Sequence, residues 1–210
     1  MGLIQLADLT VKRGRKTVVS KFSLKLVSGE VVALSGDNGC GKSTIIEAAS
    51  GLLELEDGFV KISNQLVKDS EGRRGRPHFG LCLQDDCMMG DELVGERLVD
   101  VARSKFNVNE ILDEWDLSHR VNDRVAMLSG GQRRKLAVIS ALLPALISDE
   151  PIAILLDEPD SGLDEKSVEL LATMIRNLSA TGHAILIASH NQSIISCADK
   201  IISFPFEIKE

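Results

Sequence analysis

The first third of the chain alternates between apolar and polar residues, which is the pattern of half-buried β-strands. Residues 3–9 and 18–26 both show this alternation, with Gly14 between them, and they predict the two strands of a hairpin. Residues 58–63 predict a further strand of the same group. The polar and basic stretch at 68–77 predicts a solvated loop, with contact to lipid head groups or to a partner as the alternative.

From residue 31 onward, short apolar runs alternate with stretches whose apolar residues recur at helical spacing. The apolar runs predict strands at residues 31–34, 79–83, 152–156 and 183–188. The helical spacing predicts helices at residues 43–49, 166–178 and 192–198, two helices between 92 and 115, and one from just after Gly131 to 141. Alternating strands and helices predict an α/β fold with a mainly parallel sheet, in which ligands gather at the carboxyl ends of the strands.

The strand at 31–34 leads into a glycine-rich turn of the form Gly36-x-x-x-x-Gly41-Lys42-Ser43, and a predicted helix follows. Glycines allow successive backbone N–H groups to approach phosphate oxygens, and the positive end of the helix dipole faces the same anion. Lys42 supplies a mobile charge for the outer phosphates, and the Ser43 hydroxyl is a suitable hard ligand for Mg²⁺. The turn therefore predicts a site for a nucleoside triphosphate.

Two adjacent carboxylates follow the apolar strand at 152–156. Asp157 fits a role in holding Mg²⁺ through its water shell, and Glu158 fits a role in orienting and polarising an attacking water. Taken alone, an Asp-Glu pair at a strand end can be a solvated surface feature. The phosphate-binding turn in the same chain favours the catalytic interpretation.

A second glycine-rich turn, at residues 128–132, also enters a predicted helix and predicts a second backbone anion site. One nucleotide does not need two such sites from the same face of one subunit, so we expect the second turn to serve a nucleotide held by another subunit. His190 follows the strand at 183–188, where an imidazole can hydrogen-bond the terminal phosphate of a nucleotide. A structural role is the alternative for a lone histidine.

Composition narrows the function classes further. The 210 residues suit one domain of ordinary size, and the net charge of −7 and the pI of about 5.2 disfavour non-specific nucleic-acid binding. No apolar run reaches the length that spans a bilayer, and the first residues lack the layout of a signal peptide, so we expect a soluble, intracellular protein.

The four cysteines lack metal-binding spacing, so we expect reduced thiols. Cys40 has a redox-sensitive alternative because it lies beside Lys42 in the phosphate-binding turn.

In these motifs and in their order, the chain resembles the nucleotide-binding subunits of the ATP-binding-cassette (ABC) family over nearly its whole length. The residues that carry the resemblance are those of Walker A (Gly36, Asp37, Asn38, Gly39, Cys40, Gly41, Lys42, Ser43, Thr44), the Q-loop (Gln84), the family signature (Leu128, Ser129, Gly130, Gly131, Gln132), Walker B with the catalytic glutamate (Asp157, Glu158), the D-loop (Ser161, Gly162, Leu163, Asp164) and the switch histidine (His190). The signature is the most specific of these motifs because other P-loop enzymes lack it.

The resemblance implies a single ABC-type ATPase domain over residues 1–210. Its fold would be a P-loop NTPase (RecA-like) α/β core with a mainly parallel sheet, an N-terminal antiparallel β subdomain and a helical subdomain inserted at about residues 86–140. It also implies ATP and Mg²⁺ as cofactors. The residues implied in catalysis are Glu158, His190 and Gln84, and those implied in metal binding are Ser43, Gln84 and Asp157.

For partners, the resemblance implies two such subunits stacked head to tail, as a homodimer or a heterodimer, with each ATP between the Walker A motif of one and the signature of the other. ATP would close this sandwich and hydrolysis would reopen it, driving transport through a membrane-spanning permease on a separate chain. The subunit would lie in the cytoplasm on the inner face of the cell membrane, and no nucleic acid is expected. The alternative is a soluble ABC ATPase that uses the same clamp outside transport, against which this sequence has neither tandem cassettes nor a coiled-coil insertion.

The region expected to contact adenine departs from the family pattern. Family members usually place an aromatic residue, often Tyr, ahead of Walker A to stack on the base, whereas this chain has no Tyr and has Arg13 near that place. The guanidinium plane of Arg13 could stack on the base instead, or Val18 could cover the ring. Both residues are therefore candidates for the adenine site.

Overall fold

The computed structural model describes residues 2–85, 90–103 and 107–204, which form two β-sheets and a set of helices. The strands are β1 (Gly2–Arg13), β2 (Lys16–Val27), β3 (Val31–Gly36), β4 (Asp57–Ile62), β5 (Gln65–Asp69), β6 (Gly80–Cys82), β7 (Ala153–Asp157), β8 (Ala184–Ala188) and β9 (Lys200–Phe204). The α-helices are α1 (Lys42–Ala49), α2 (Val94–Ala102), α3 (Val108–Glu114), α4 (Gly130–Leu146), α5 (Glu165–Ala180) and α6 (Gln192–Ile195). Short 3₁₀ turns at Ser118–Arg120 and Val125–Met127 lead from α3 to α4.

The larger sheet has the strand order β6-β7-β8-β3-β9 and is parallel throughout, which confirms the predicted mainly parallel sheet. Its strands are continuous apolar runs because both faces of the sheet are buried. Along β7, Ile154 and Leu156 pack into a core formed with residues of the helices α2 to α6, whereas Ala153 and Leu155 pack into a second core. That second core contains residues of α1 and of the smaller sheet.

The smaller sheet is antiparallel and has the strand order β2-β1-β4-β5. The predicted hairpin is confirmed: β1 and β2 pair up to Arg13 and Lys16, with Gly14 and Arg15 forming the turn. The strand predicted at 58–63 corresponds to β4, whose Ile62 pairs with Ile4 of β1. One face of this sheet covers the second core, as its alternating pattern requires.

The sequence analysis did not predict β5 and was wrong about the start of the loop at 68–77. Lys68 and Asp69 end β5 and are both buried. Their charges are compensated locally, because Lys68 Nζ lies 2.6 Å from a carboxylate oxygen of Glu54 and Arg73 Nε donates to Asp69 Oδ2 at 2.6 Å. These ion pairs explain how two charged residues of the stretch can be buried.

The predicted helices are present, although some of their ends differ. Helix α4 continues past 141 to Leu146 because Leu142, Leu143 and Ala145 are buried in the helical core. Helix α6 stops at Ile195, short of the predicted 198. The sequence analysis also failed to predict β9, which forms the edge of the parallel sheet next to β3. Over residues 2–85, 90–103 and 107–204, none of the helices combines the length and apolar character that crossing a bilayer requires.

Candidate functional site

The phosphate-binding turn lies between the end of β3 and the start of α1, as predicted. It borders a cavity of about 390 Å³ at the carboxyl edge of the parallel sheet. The residues lining the cavity are Arg13, Val18, Asn38, Gly39, Gly41, Lys42, Ser43, Thr44, Gln84 and Glu158. The structure therefore brings the Walker A turn, the Q-loop residue and the predicted catalytic glutamate around one space.

Two glycines of this turn are required for different physical reasons. Gly36 has a φ of 140°, and a Cβ there would collide with the main-chain oxygen of Phe204 in β9. Gly39 has a φ of 78° with open space around it, so its backbone conformation is what favours glycine. The sequence suggested that glycine is needed here so that the backbone can approach phosphate. At Gly36 the packing of β9 against the turn also requires glycine.

Lys42 begins α1 with its side chain folded back over the turn. Only 4% of the residue is exposed, and its Nζ donates to the main-chain oxygens of Gly36 at 2.8 Å and Asp37 at 3.1 Å. The N-cap residue of α1, Gly41, is in the left-handed region and gives the helix no side-chain cap. A cation and uncapped helix N–H groups therefore face the cavity, which is an arrangement suited to an anion.

Ser43 and Asp157 meet next to this turn. The Ser43 hydroxyl donates to Asp157 Oδ1 at 3.1 Å, and Asp157 is 1% exposed at the end of β7. Burial raises the pKa of Asp157, and the negative charge of Glu158 adds to this rise. The Ser43 hydrogen bond and the charges of Arg134 and Lys42 oppose it. This buried carboxylate is a place where a cation would be favourable.

The donor set around Asp157 suits Mg²⁺ better than a metal that prefers imidazole or thiolate. Within the described part of the chain, no cluster of three or more His, Cys, Asp or Glu side chains could hold a metal. The candidate ligands are instead a hydroxyl, a carboxylate and the amide of Gln84. Mg²⁺ is commonly bound by one or two protein oxygens together with phosphate and water, so these residues fit that ion.

Glu158 occupies a strained backbone position directly after β7. Its φ is 45°, which is uncommon for a residue with a Cβ and is held only where neighbouring contacts fix it. Its N–H donates to the oxygen of Ala188 at 2.8 Å, and its own oxygen accepts from the Ser161 N–H at 3.0 Å. Gln84 Nε2 donates to the Glu158 carboxylate at 3.1 Å, and His190 Nε2 lies 3.7 Å from it. The three predicted catalytic side chains are therefore adjacent.

The loop that carries the switch histidine, His190, is held by two residues for which the sequence analysis predicted no role, Ser189 and Asp160. The Ser189 hydroxyl, which is buried, donates to Asp160 Oδ1 at 2.7 Å and accepts from the Asn191 N–H at 3.0 Å. These bonds fix the loop on which His190 lies, with 45% of its side chain exposed towards solvent. The signal was present, because Ser189 and Asp160 each stand beside a predicted site residue.

The signature turn lies apart from this cavity. Leu128 is buried, whereas Ser129 and Gly130 are exposed, and none of residues 128–132 lines the cavity. Ser129 and Gln132 form a capping box: the Gln132 N–H donates to Ser129 Oγ at 3.3 Å, and the Ser129 N–H donates to Gln132 Oε1 at 3.0 Å. The turn is thus a helix cap whose first residues are exposed outside the cavity that the chain's own phosphate-binding turn borders.

The D-loop leads from the catalytic strand into α5 and contacts the signature helix α4. Asp164 caps α5 by accepting from the Ser167 N–H at 2.9 Å, and it pairs with Lys135 of α4 at 3.0 Å. The hydrogen bonds from Ser167 and Lys135 lower the pKa of Asp164 to about 2. Gly162 lies close to Gly131, since a Cβ on Gly131 would be 3.3 Å from the Gly162 oxygen. Of the other D-loop residues, Ser161 is exposed and Leu163 is half-buried against the helical core.

Arg13 and Val18 both border the cavity, on the hairpin side. Arg13 forms an ion pair with Glu47 of α1, which fixes the end of its guanidinium against the helix. Cys40 is half-buried with its Sγ 3.9 Å from Lys42 Nζ. Of the other cysteines, Cys82 is buried and Cys197 is half-buried, and neither forms a disulfide in the described part of the chain, while Cys87 lies outside the described residues.

Comparison with known proteins places this geometry in a family. A family model described as ABC transporter matches residues 19–161. The macrolide export ATP-binding/permease protein MacB of Psychrobacter cryohalolentis is 30% identical over 95% of this chain, which spans 31% of that protein. An ABC transporter ATP-binding protein of Rhizobium meliloti is 30% identical over 90% of this chain and 72% of its own length. This chain thus spans less than a third of the length of the first curated relatives that it matches.

Solved structures agree with the fold. The ATP-binding subunit of an ABC transporter superimposes with a TM-score of 0.75 at 25% identity, over 96% of this chain and 85% of that one. A dimeric ATP-binding cassette in a post-hydrolysis state bound to ADP and Pi gives a TM-score of 0.79 at 22% identity, over 96% and 94% of the two chains. The fold is accordingly that of the P-loop α/β ATPases, with its antiparallel sheet, parallel sheet and helices.

Proposed function

Since the chain belongs to the ABC transporter family, we propose that it is the ATP-hydrolysing subunit of a transporter and drives a membrane-spanning subunit on a separate chain. The observation that carries this proposal is the separation of two glycine-rich turns within one chain. One borders a cavity beside Lys42, Asp157 and Glu158, and the other is exposed outside that cavity. A site completed by a second copy accounts for both.

On this proposal, the phosphate-binding turn holds the triphosphate of ATP through its backbone N–H groups. Lys42 exchanges its bonds to the oxygens of Gly36 and Asp37 for phosphate oxygens. Ser43, Asp157 and Gln84 would hold Mg²⁺, which when bound neutralises charge on the phosphates. Arg13 and Val18, at the hairpin side of the same cavity, would contact the adenine ring.

Glu158 orients the attacking water and accepts a proton from it as the oxygen attacks the γ-phosphorus. The bond from that phosphorus to the bridging oxygen breaks, which yields ADP and inorganic phosphate. Gln84 holds the Glu158 carboxylate through its 3.1 Å hydrogen bond. His190, whose Nε2 lies 3.7 Å from that carboxylate, would donate to the transferred phosphoryl group. Chemistry of this kind depends mainly on positioning and charge stabilisation, which a site built from loops at strand ends can supply.

The signature turn would act on the partner's nucleotide. Ser129 accepts the Gln132 N–H through its oxygen, and its hydroxyl hydrogen stays available for a phosphate oxygen. Two copies stacked head to tail, as a homodimer or with a similar chain, would place this turn on the partner's γ-phosphate. The D-loop residues 161–164 lie between the Glu158 strand and the signature helix, where they would also meet the partner.

The helical region at about residues 86–140 is proposed to contact the membrane subunit, at the cytoplasmic face of the cell membrane. This assignment is supported by the family and by the order of the chain, in which the region follows Gln84. Closure of the dimer around ATP would move this region, and reopening after hydrolysis would return it. The transported substrate would then be chosen by the membrane subunit.

Glu158→Gln tests the proposal. The variant keeps the size of the side chain and one oxygen that can accept the Gln84 hydrogen bond, but an amide cannot take up the proton. We therefore expect hydrolysis to fall at least about a hundredfold while ATP binding persists. Sedimentation with ATP should show the variant accumulating as a dimer. Glu110→Gln, at an exposed position of α3, is the matched control and should hydrolyse ATP at the wild-type rate. A Glu158→Gln variant that stays monomeric with saturating ATP contradicts the shared site.

A further inference from the structure

Arg134 lies in the first half of α4 and is almost completely buried. Only 4% of the residue is exposed, although an arginine side chain is always charged at neutral pH. Burying an unpaired charge is costly, so a buried arginine must find a full set of hydrogen-bond acceptors. The partners of Arg134 therefore indicate what the residue does in the fold.

The acceptors of Arg134 are all main-chain oxygens, and they lie at the ends of two neighbouring strands. Its Nη1 group donates to Leu83 at 2.6 Å and Gln84 at 3.3 Å, just beyond β6. Its Nη2 group donates to Asp157 at 2.9 Å and to Glu158, and its Nε donates to Pro159 at 3.2 Å. A guanidinium has five N–H groups in a fixed plane, and here each has an acceptor.

These acceptors belong to the peptide groups that aim the hydrolytic side chains. Gln84 and Glu158 hydrogen-bond each other, and the backbone of Glu158 is held at a φ of 45°. A strained conformation persists only where its surroundings over-determine it, and Arg134 supplies one of the bonds to the Glu158 oxygen. Moving Arg134 would therefore release both side chains from their present geometry.

The same residue is fixed to the signature turn. Arg134 lies five residues after the N-cap Ser129 on the same helix, and its neighbour Lys135 ties α4 to Asp164 of the D-loop at 3.0 Å. The α-helix is a rigid element over this distance, so a displacement of Ser129 is transmitted to the guanidinium. A bidentate, planar group can pass such a displacement to two strand ends at once, which a point charge cannot.

We propose that Arg134 is a positioning residue that sets the geometry of Gln84 and Glu158 according to whether the signature turn of the same chain has engaged a partner's nucleotide. This inference rests on the proposed function and adds to it a link between the two ATP sites. Hydrolysis at one site is then faster when the other site is filled. The link acts within one chain, through five hydrogen bonds to main-chain oxygens.

The variants Arg134→Lys and Arg134→Gln test this role. Lys keeps the charge and Gln keeps a planar donor, but neither spans both strand ends. We expect each to lower kcat about a hundredfold, the loss produced by misplacing catalytic groups by about 1 Å. The affinity of the monomer for ATP should stay within about twofold of wild type, and the Hill coefficient for ATP in hydrolysis should fall towards 1. Arg176→Lys, at an exposed position on α5, is the matched control and should change neither value.

A purely structural role gives a different result. In that case kcat would fall only in proportion to the folded fraction, measured by circular dichroism on the same samples, and Arg134→Lys would restore both rate and Hill coefficient. Either result overturns the inference. Wild-type hydrolysis is measured in the same series: its absence overturns the proposed function as well, whereas a wild-type rate kept by Arg134→Lys overturns only the role of Arg134.

Protein that keeps Arg134 provides a readout should both variants fail to fold. With ¹⁵N-labelled arginine, the Nη protons of Arg134 should give separate, slowly exchanging NMR signals because each is hydrogen-bonded. These signals should shift when ATP drives dimer formation in Glu158→Gln, which keeps Arg134 intact. Averaged signals from a freely rotating guanidinium, or signals that do not respond to the dimer, overturn the proposal.

Discussion

Two glycine-rich turns of this chain lead into α-helices, and they satisfy the first N–H groups of those helices in opposite ways. The turn before α1 ends in Gly41, which provides no side-chain cap. The start of this helix, with Lys42 as its first residue, borders the cavity instead. The turn before α4 closes on itself through the reciprocal bonds of Ser129 and Gln132. The first turn is incomplete without an anion, whereas the second is complete as a helix cap and still exposed.

This difference suggests a division of labour. The uncapped turn has a helix start without a side-chain cap and a buried lysine, and both features suit a tightly bound triphosphate. The capped turn keeps its shape without a ligand and can meet a phosphate through its exposed face when a partner presents one. Binding at the first turn would thus precede association through the second, as the proposed ATP-dependent dimer requires.

Removing the cation of the uncapped turn should have the largest effect. Lys42→Ala deletes the charge that faces the cavity. We expect ATP affinity to fall between about tenfold and about a hundredfold, since a charge-assisted hydrogen bond contributes about 1.5–3 kcal/mol. Equilibrium titration with ATP on the monomer measures this change. The side chain also bonds to Gly36 and Asp37, so the folded fraction is checked by circular dichroism.

A surface lysine gives the comparison for that experiment. Lys166→Ala removes a charge of the same kind from an exposed position of α5 and should leave ATP affinity unchanged. Undiminished affinity in Lys42→Ala would remove the contrast between the two turns, because the first would then not depend on its cation to bind the nucleotide.

The sequence predicted the parallel sheet well because buried strands are continuous apolar runs followed by glycine turns and helices. It missed β9, whose five residues include exposed positions at a sheet edge and so lack that signature. It misassigned Lys68 and Asp69 because charged residues predict a solvated loop, whereas here Glu54 and Arg73 compensate them. Pairing between residues distant in the chain is not readable from local composition.

The site shows the same limit at the level of single side chains. Motif spacing placed the phosphate turn and Glu158 near one another, and the structure agrees with that placement. The sequence analysis did not predict that Ser129 and Gln132 cap a helix. The signal was available, because Ser-x-x-Gln before an apolar run is a capping-box pattern. The partners of Arg134 could not be predicted in this way, because they are main-chain oxygens that only the fold brings together.

Separating the two roles of the capped turn gives the next largest effect. Ser129→Ala removes the cap and the exposed hydroxyl together, so we expect a loss of about 1 kcal/mol in the free energy of unfolding and weaker dimer formation. Ser129→Asp restores a good N-cap but adds a negative charge where the partner's phosphate would lie. It should therefore keep wild-type stability in urea unfolding, yet fail to dimerise with ATP in the Glu158→Gln background.

The two Ser129 variants contradict the comparison in different ways. Normal dimer formation by Ser129→Asp would mean that the turn does not face a phosphate and is only a helix cap. Full stability in Ser129→Ala would mean that the reciprocal bonds to Gln132 contribute little. The first result bears on function and the second on the helix alone, so one pair of proteins distinguishes them.

The smallest expected effect concerns Asp164, which ties the helix of the capped turn to the D-loop. Hydrogen bonds from Ser167 and Lys135 lower the pKa of the Asp164 carboxyl from the unfolded value of 3.8 to about 2. The ionised carboxylate therefore stabilises the fold fully above pH 3.8, and this stabilisation is lost as the pH falls towards 2. Asp164→Asn keeps a cap for α5 but loses the charge, and because the side chain is 58% exposed we expect a cost of at most about 1 kcal/mol at pH 7. Urea unfolding of wild type and variant at pH 7, 5 and 3 should show the two curves converging as pH falls. A difference that stays constant across this range would mean that the ion pair with Lys135 does not hold α4 to the D-loop.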